Sequence, residues 1–156
     1  MASKQSYEIT LNNNITEREG LDFVLRQDKY LWNPSKESRK TLLNIFDLDK
    51  SFSRAFDLIK VPQLNNGSEK LQILSKNDIK LIELKTTKKH LPNNPKGFFF
   101  GATENEFKLA EMLGKQYMFC FVSLHPDTKS LSYMHLEDMD QFIKSKRIQF
   151  QINFKK

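Results

Sequence analysis

The chain has 156 residues, of which 38% are hydrophobic and 28% charged, a size and composition that fit one domain with a core of its own. Lys and Arg number 25 against 19 Asp and Glu, a net charge of +6, with a sequence pI of about 9.3, in the range where a nucleic-acid partner is expected. Cys120 is the only cysteine and sits between Phe119 and Phe121, which excludes an internal disulfide and a zinc site built on several thiolates, and points to a buried thiol in a reducing compartment.

The N-terminus has no basic region followed by an apolar core, and the longest apolar run, 117–122, is too short to span a bilayer. A soluble, intracellular protein of cytoplasm or nucleoid is expected, with no membrane partner. Residues 7–11 alternate like a short strand, and Asn12, Asn13 and Asn14 read as a loop. Thr16 with Glu19 has the form of a capping box, so a helix is expected to start there and to run through Leu21, Val24 and Leu25. Ser35, after Asn33-Pro34, is placed to cap a second helix through Arg39, Leu42, Leu43, Ile45 and Phe46.

From Phe52 the period changes. Residues 55–61 read as a short strand ended by Pro62, with Asp57 its one acid. Asn65-Asn66-Gly67 is a turn signal, and 71–74 reads as a further strand, so an antiparallel meander leads into 79–87. That last segment, Ile-Lys-Leu-Ile-Glu-Leu-Lys-Thr-Thr, puts Ile79, Leu81, Glu83 and Lys85 on one face and Lys80, Ile82 and Leu84 on the other. An apolar face that ends in two opposite charges must pair them, expose them or use them, because a buried unpaired charge is costly.

A polar, basic loop with Lys88, Lys89 and Lys96 follows, and then Gly97-Phe98-Phe99-Phe100-Gly101, read as a short buried strand or core plug. Thr103 with Glu106 forms a capping box for a helix over about 104–113 closed by Gly114, with Glu104 and Glu106 read as capping charges. Residues 117–124 are near-continuously apolar, the mark of a central strand covered on both faces. A strand at 131–134, a helix over about 136–144 and an alternating edge strand at Ile148, Phe150, Ile152 and Phe154 complete the chain. The order of elements gives an α/β or α+β fold, a mixed central sheet flanked by helices. His90, His125 and His135 show no metal-ligand spacing, and Gln116 is a minor candidate for a polar contact beside the site.

An acid on one strand (Asp57), a turn, a strand ending Ile82-Glu83-Leu84-Lys85, a helix and an apolar strand together resemble the core of the PD-(D/E)xK, restriction-endonuclease-like, nucleases. The resemblance covers about 52–124, with a helical part at 15–48 and a helix–strand part at 131–156 completing a single nuclease-like domain over 1–156. Glu-Leu-Lys-Thr-Thr at 83–87, the phenylalanines, Thr-Glu-Asn-Glu at 103–106 and Leu-Gly-x-x-Tyr at 113–117 look like a branch found in restriction and other DNA-processing proteins. One departure is that Phe56, not proline, precedes Asp57.

The resemblance implies a Mg²⁺-dependent endodeoxyribonuclease, of restriction or mobile-element type, with Mn²⁺ as a substitute metal and no organic cofactor. By the same resemblance Asp57, Glu83 and Lys85 are catalytic. Asp57, Glu83 and the Leu84 backbone carbonyl are the metal ligands. Lys88, Lys89 and Lys96 are candidates for DNA phosphates, and Glu17 or Glu19 for an additional acid. Asp78 is the rival first acid, but it falls at the opposite end of the strand from Glu83, over about 10 Å away at roughly 3.3 Å per residue. A chain this short cuts both strands of a duplex only as a pair, so a homodimer is expected. The alternatives are a non-catalytic nucleic-acid-binding or assembly module on the same fold and an unrelated basic domain.

Overall fold

The computed structural model of the protein describes residues 4–62, 71 and 75–156, with side chains from Asn14 onward. It is a mixed α/β structure built on a five-stranded sheet. In chain order the elements are α1 (Lys4–Gln27), β1 (Leu31–Trp32), α2 (Lys36–Ile45), β2 (Leu58–Lys60), β3 (Lys80–Thr87), α3 (Glu104–Leu113), β4 (Tyr117–Ser123), β5 (Ser130–Met134) and the short α4 (Leu136–Met139). Strand order in space follows the sequence, β1-β2-β3-β4-β5. Only β3 and β4 are parallel, joined by the crossover through α3, and the other pairs are antiparallel. Among the described residues no helix is long and apolar enough to cross a membrane.

The period of two along β3 explains the layers. Ile79 and Leu81 meet Leu42, Leu43, Phe46, Leu109, Tyr117, Phe119 and Phe121 on the face covered by α2, α3 and α4. Ile82 meets Phe23, Val24, Leu58, Met118, Cys120 and Val122 on the face covered by α1. Each such side chain contributes roughly 1.5–3 kcal/mol by leaving water. Strand β4 is buried along its whole length, as its unbroken apolar run requires. Cys120 is a free, buried thiol, and burial pushes its pKa up to about 12.

Helix α1 lies close on β3 because residue 20 has no side chain. A Cβ there would stand 2.3 Å from Thr86 Oγ1 and 2.8 Å from its methyl carbon, so only glycine fits without a shift of the strand residue. At the end of α1, Asp28 ties three elements together. Its Oδ2 accepts from the Tyr133 hydroxyl of β5 at 2.7 Å and lies 2.7 Å from Lys60 Nζ of β2, while Oδ1 accepts from the Tyr30 N–H at 3.0 Å. Burial opposes the Asp28 charge, but these bonds hold its pKa below the ordinary value.

Several expectations are corrected. Residues 7–11 and the asparagines at 12–14 lie in α1, which begins at Lys4, so Thr16 and Glu19 are helix-interior residues and not a start box. Propensity penalties of a few tenths of a kcal/mol per asparagine are small beside what the packing of Phe23 and Val24 contributes. Residues 97–101 form no strand: Phe98 and Phe100 plug the core against Phe121, both with ring centroids 5.0 Å away, whereas Phe99 is 91% exposed. The helix after β5 ends at Met139 and passes into a 3-10 turn, Asp140–Phe142.

The edge strand at 148–154 does not form. Ile148, Phe150, Ile152 and Phe154 are exposed and pair with no strand among the described residues, and just before them Lys146 Nζ lies 4.8 Å from the Phe107 ring centroid of α3. Alternation says which faces a strand would present but supplies no partner edge. The Asn65-Asn66-Gly67 turn and the strand at 71–74 lie outside the described residues, apart from Leu71, which is buried.

Candidate active site

The charged end of β3 meets the start of β2. Asp57 stands just before β2, and its N–H donates to the Ile82 carbonyl at 2.8 Å while its Oδ2 accepts from the Leu84 N–H at 2.8 Å. The two bonds bracket Glu83. Within a strand the N–H and C=O of one residue point the same way. The Leu84 carbonyl therefore leaves β3 on the Asp57 side, beyond the end of the β2 ladder at Leu58.

Arg39 of α2 fixes the other side of Asp57. Its Nη1 donates to the carbonyls of Ser53 at 3.1 Å and Phe56 at 2.6 Å, its Nη2 donates to the Asp57 carbonyl at 2.8 Å, and its guanidinium lies 4.9 Å from the Phe56 ring centroid. An always-charged planar fork that satisfies three carbonyls holds this loop more firmly than a lysine could. Nothing in the sequence marked Arg39 for this, because its partners lie on a different element.

Glu83 is only 8% exposed. Its Oε1 lies 3.1 Å from Lys85 Nζ, and its Oε2 is buried with no hydrogen-bond partner among the described residues. Lys85 Nζ in turn lies 2.6 Å from Oε1 of Glu106, a residue buried to 4% exposure at the start of α3. The other oxygen of Glu106 accepts from the Thr103 N–H at 2.6 Å, and Thr103 Oγ1 accepts from the Glu106 N–H at 3.2 Å. The capping box expected from the sequence is present, and one of its two carboxylate oxygens reaches the site as well. Glu106 is the residue that sequence reasoning undervalued: a capping function accounted for it fully.

These contacts set the charge states. Burial first, and then the negative charge of Asp57, pushes the Glu83 carboxyl up to about 10, so it keeps its proton at neutral pH. Burial works against the Lys85 ammonium, yet Glu83 and Glu106 hold its pKa above the usual lysine value. For Glu106 burial is again opposed, here by the neighbouring Glu83 carboxyl and by the bonds to Lys85 and Thr103, and its pKa is lowered. The ion pair of the resting cluster is Lys85 with Glu106.

A cleft of about 680 Å³ opens over this cluster, lined among others by Glu17, Arg18, Arg39, Asp57, Glu83 and Lys85, with Phe99 and Gly101 at one side. A second cavity of about 690 Å³ shares Arg39 and Asp57 with it and is lined by Lys36, Lys40, Lys50 and Arg54. Asp57 thus sits where a carboxylate-bearing cleft meets a strongly basic one.

The other sequence candidates are spread out. Glu17 lines the cleft, but Glu19 pairs with Lys88 at 3.7 Å on the surface. Lys88, Lys89 and Lys96 are exposed on the loop after β3 and are not among the residues lining either cavity, and Lys89 Nζ donates to the Gly97 carbonyl at 3.3 Å. Asp78 is exposed in the turn Lys76–Asp78 before β3, at the end away from Glu83. Gln116 bonds the Lys76 and Ile79 carbonyls at that same far end, so it supports the strand and not the site. His135 Nδ1 lies 3.1 Å from the Tyr117 carbonyl, whereas His90 and His125, read from the sequence as unrelated, meet edge to face with ring centroids 4.9 Å apart. Compared with family models, with curated proteins and with solved structures, the chain finds no match.

Proposed function

We propose that the protein is a divalent-metal-dependent endodeoxyribonuclease on a restriction-endonuclease-like fold, acting as a homodimer. The observation that carries this reading is the buried Oε2 of Glu83, which has no hydrogen-bond partner among the described residues and belongs to a side chain that lines an open cleft with Asp57 and Lys85. A buried carboxyl oxygen left without a partner is costly, and a cation that displaces the proton of Glu83 is the partner whose chemistry suits it. The donor set fits Mg²⁺ or Mn²⁺: the carboxylates of Asp57 and Glu83 and the Leu84 carbonyl are all hard oxygen ligands.

When bound, such a cation supplies an acidified water and relieves negative charge on the phosphoryl oxygens. Asp57 and Glu83 would hold it, Glu83 giving up its proton on binding. Lys85 would orient the attacking water and hold the phosphate by point charge, and Glu106 would keep the lysine side chain aimed at the cleft. Arg39 anchors the backbone on which Asp57 stands. Arg18, Lys36, Lys40, Lys50 and Arg54 would take the flanking phosphates, and Phe99 would offer an aromatic face to an exposed base.

Plasmid DNA incubated with the protein and Mg²⁺ tests the reading. Cleavage that requires the metal and is lost in Asp57→Ala is expected. The basic cavity beside Asp57 favours a second reading, a DNA-binding module without chemistry. Retention of plasmid with no cut strand under Mg²⁺ or Mn²⁺ would decide for it.

A further inference from the structure

We propose that His90, His125 and Asp127 form a binding site for a late first-row divalent cation, Zn²⁺ above all, distinct from the carboxylate cluster and independent of the nuclease reading. One ligand atom from each of the three lies within 4.8 Å of the other two. Two donors about 2.0–2.2 Å from one tetrahedral ion stand about 3.4 Å apart, so the three groups have to draw together by less than about 1.5 Å. Rotation about the side-chain bonds of His90 and Asp127, both exposed, would supply that.

The site is built by the sheet. Strands β3 and β4 run parallel in register through Thr87 and Ser123, so the chain leaves both strands at the same end, with His90 on one exit and His125 and Asp127 on the other. The two exits are stitched on either side of His90. Ser123 Oγ donates to the Lys89 carbonyl at 3.0 Å, and the Leu91 N–H donates to Thr128 Oγ1 at 3.0 Å. His90 is thereby held facing the loop that carries the other two groups. The Asp127 N–H donates to His125 Nδ1 at 3.2 Å, which ties the backbone of one candidate ligand to the ring of the other. An ion would either take that lone pair or use the other ring nitrogen after tautomer exchange.

The donor set decides the metal. Two imidazoles and one carboxylate suit Zn²⁺, Cu²⁺, Ni²⁺ or Co²⁺, whereas the all-oxygen cluster at Asp57 and Glu83 suits Mg²⁺ or Mn²⁺. Three protein ligands leave a further position for water or an incoming group. The bound ion would clamp the start of the segment that carries Phe98, Phe99 and Phe100 to the exit of β4, so its effect would be felt on the cleft wall.

The test uses the untagged full chain, titrated with Zn²⁺ alone by calorimetry and with Co²⁺ alone by visible absorption. Saturable uptake of a single Zn²⁺, withstanding a large excess of Mg²⁺, and ligand-field bands with Co²⁺ are expected. His90→Ala and Asp127→Ala, both at exposed positions, should each weaken Zn²⁺ binding by more than about 100-fold, beyond the 10–100-fold that loss of an outer-shell partner costs. Glu83→Gln should leave it unchanged. No saturable uptake, an unchanged affinity in His90→Ala with its fold intact by circular dichroism, or loss of Zn²⁺ in Glu83→Gln would each overturn the site.

Discussion

Glu106 Oε1 lies 2.6 Å from Lys85 Nζ, a shorter contact than the 3.1 Å from that nitrogen to Glu83. The lysine of the cleft is therefore held by a residue whose other oxygen caps α3. Glutamine can fill the capping position as glutamate does, but it cannot hold an ammonium by charge. Glu106→Gln should retain about 1 kcal/mol of stability that Glu106→Ala loses, the ordinary worth of a cap. If the protein is the nuclease proposed, DNA cleavage should fall alike in both. Thermal unfolding beside a cleavage assay checks this, and cleavage at the wild-type rate in Glu106→Gln would show that Lys85 needs no such partner.

Gly20 and Thr86 offer a test of the packing under the cleft. Alanine in place of glycine inside a helix contributes roughly 1 kcal/mol, whereas forcing a methyl into close-packed surroundings costs about 1–3 kcal/mol. With Thr86 Oγ1 only 2.3 Å from the would-be Cβ, the second effect should win. Gly20→Ala alone should destabilise the protein, and combining it with Thr86→Ala should recover most of the loss in denaturant melts. Simple additivity of the two changes would mean that α1 does not rest on β3 here.

What the sequence made legible was local. The Thr103–Glu106 box, the Ser35 cap, the alternation of β3 and the apolar run of β4 each state their structure within a few residues, and the structure carries each of them. What stayed hidden depends on residues far apart in the chain. Arg39 reads as one more helix arginine until the loop of Phe56 and Asp57 folds under it. His90 and His125 read as unrelated until parallel pairing brings both strand ends together. The 148–154 alternation misled for the same reason: a pattern of faces carries no information about which edge will accept it.

If the protein binds DNA, the basic cavity beside Asp57 and the loop lysines at Lys88, Lys89 and Lys96 are separable candidates for the phosphate contacts. Each phosphate contact removed should lower the slope of log affinity against log salt by about 1. Lys40→Ala and Arg54→Ala should show that loss, because both side chains line the cavity that opens onto Asp57. Lys96→Ala is expected to change the slope less. Fluorescence anisotropy at several salt concentrations gives the answer, and the reverse ranking would move the DNA path to the loop after β3.

Phe99 tests whether an exposed aromatic at the cleft contacts bases. It stands 91% exposed while its two neighbours pack on Phe121, so truncating it should leave the fold unchanged. Stacking on one base is worth about 1–3 kcal/mol by alanine substitution. Phe99→Ala should weaken single-stranded DNA binding by that much, with a smaller effect on duplex. Equal affinity for both substrates before and after the change would assign Phe99 to some other contact.

The sharpest test separates the two charges that end the inner face of β3. If Glu83 is a metal ligand, Glu83→Ala should weaken Mg²⁺ binding and abolish cleavage together, because the cation relieves the charge that develops on the phosphate. If Lys85 positions the water, Lys85→Ala should cut cleavage by about two to four powers of ten, the usual scale for acid–base and positioning groups. Metal binding should survive that change, since Lys85 lies 3.1 Å from Glu83 but supplies no oxygen to the cation. Calorimetry with Mg²⁺ or Ca²⁺ should therefore rank the three proteins with Lys85→Ala close to wild type and Glu83→Ala far weaker. Should both variants cut at the wild-type rate, this cluster is structural, and its buried charges serve only to lock β2, β3 and α3 together.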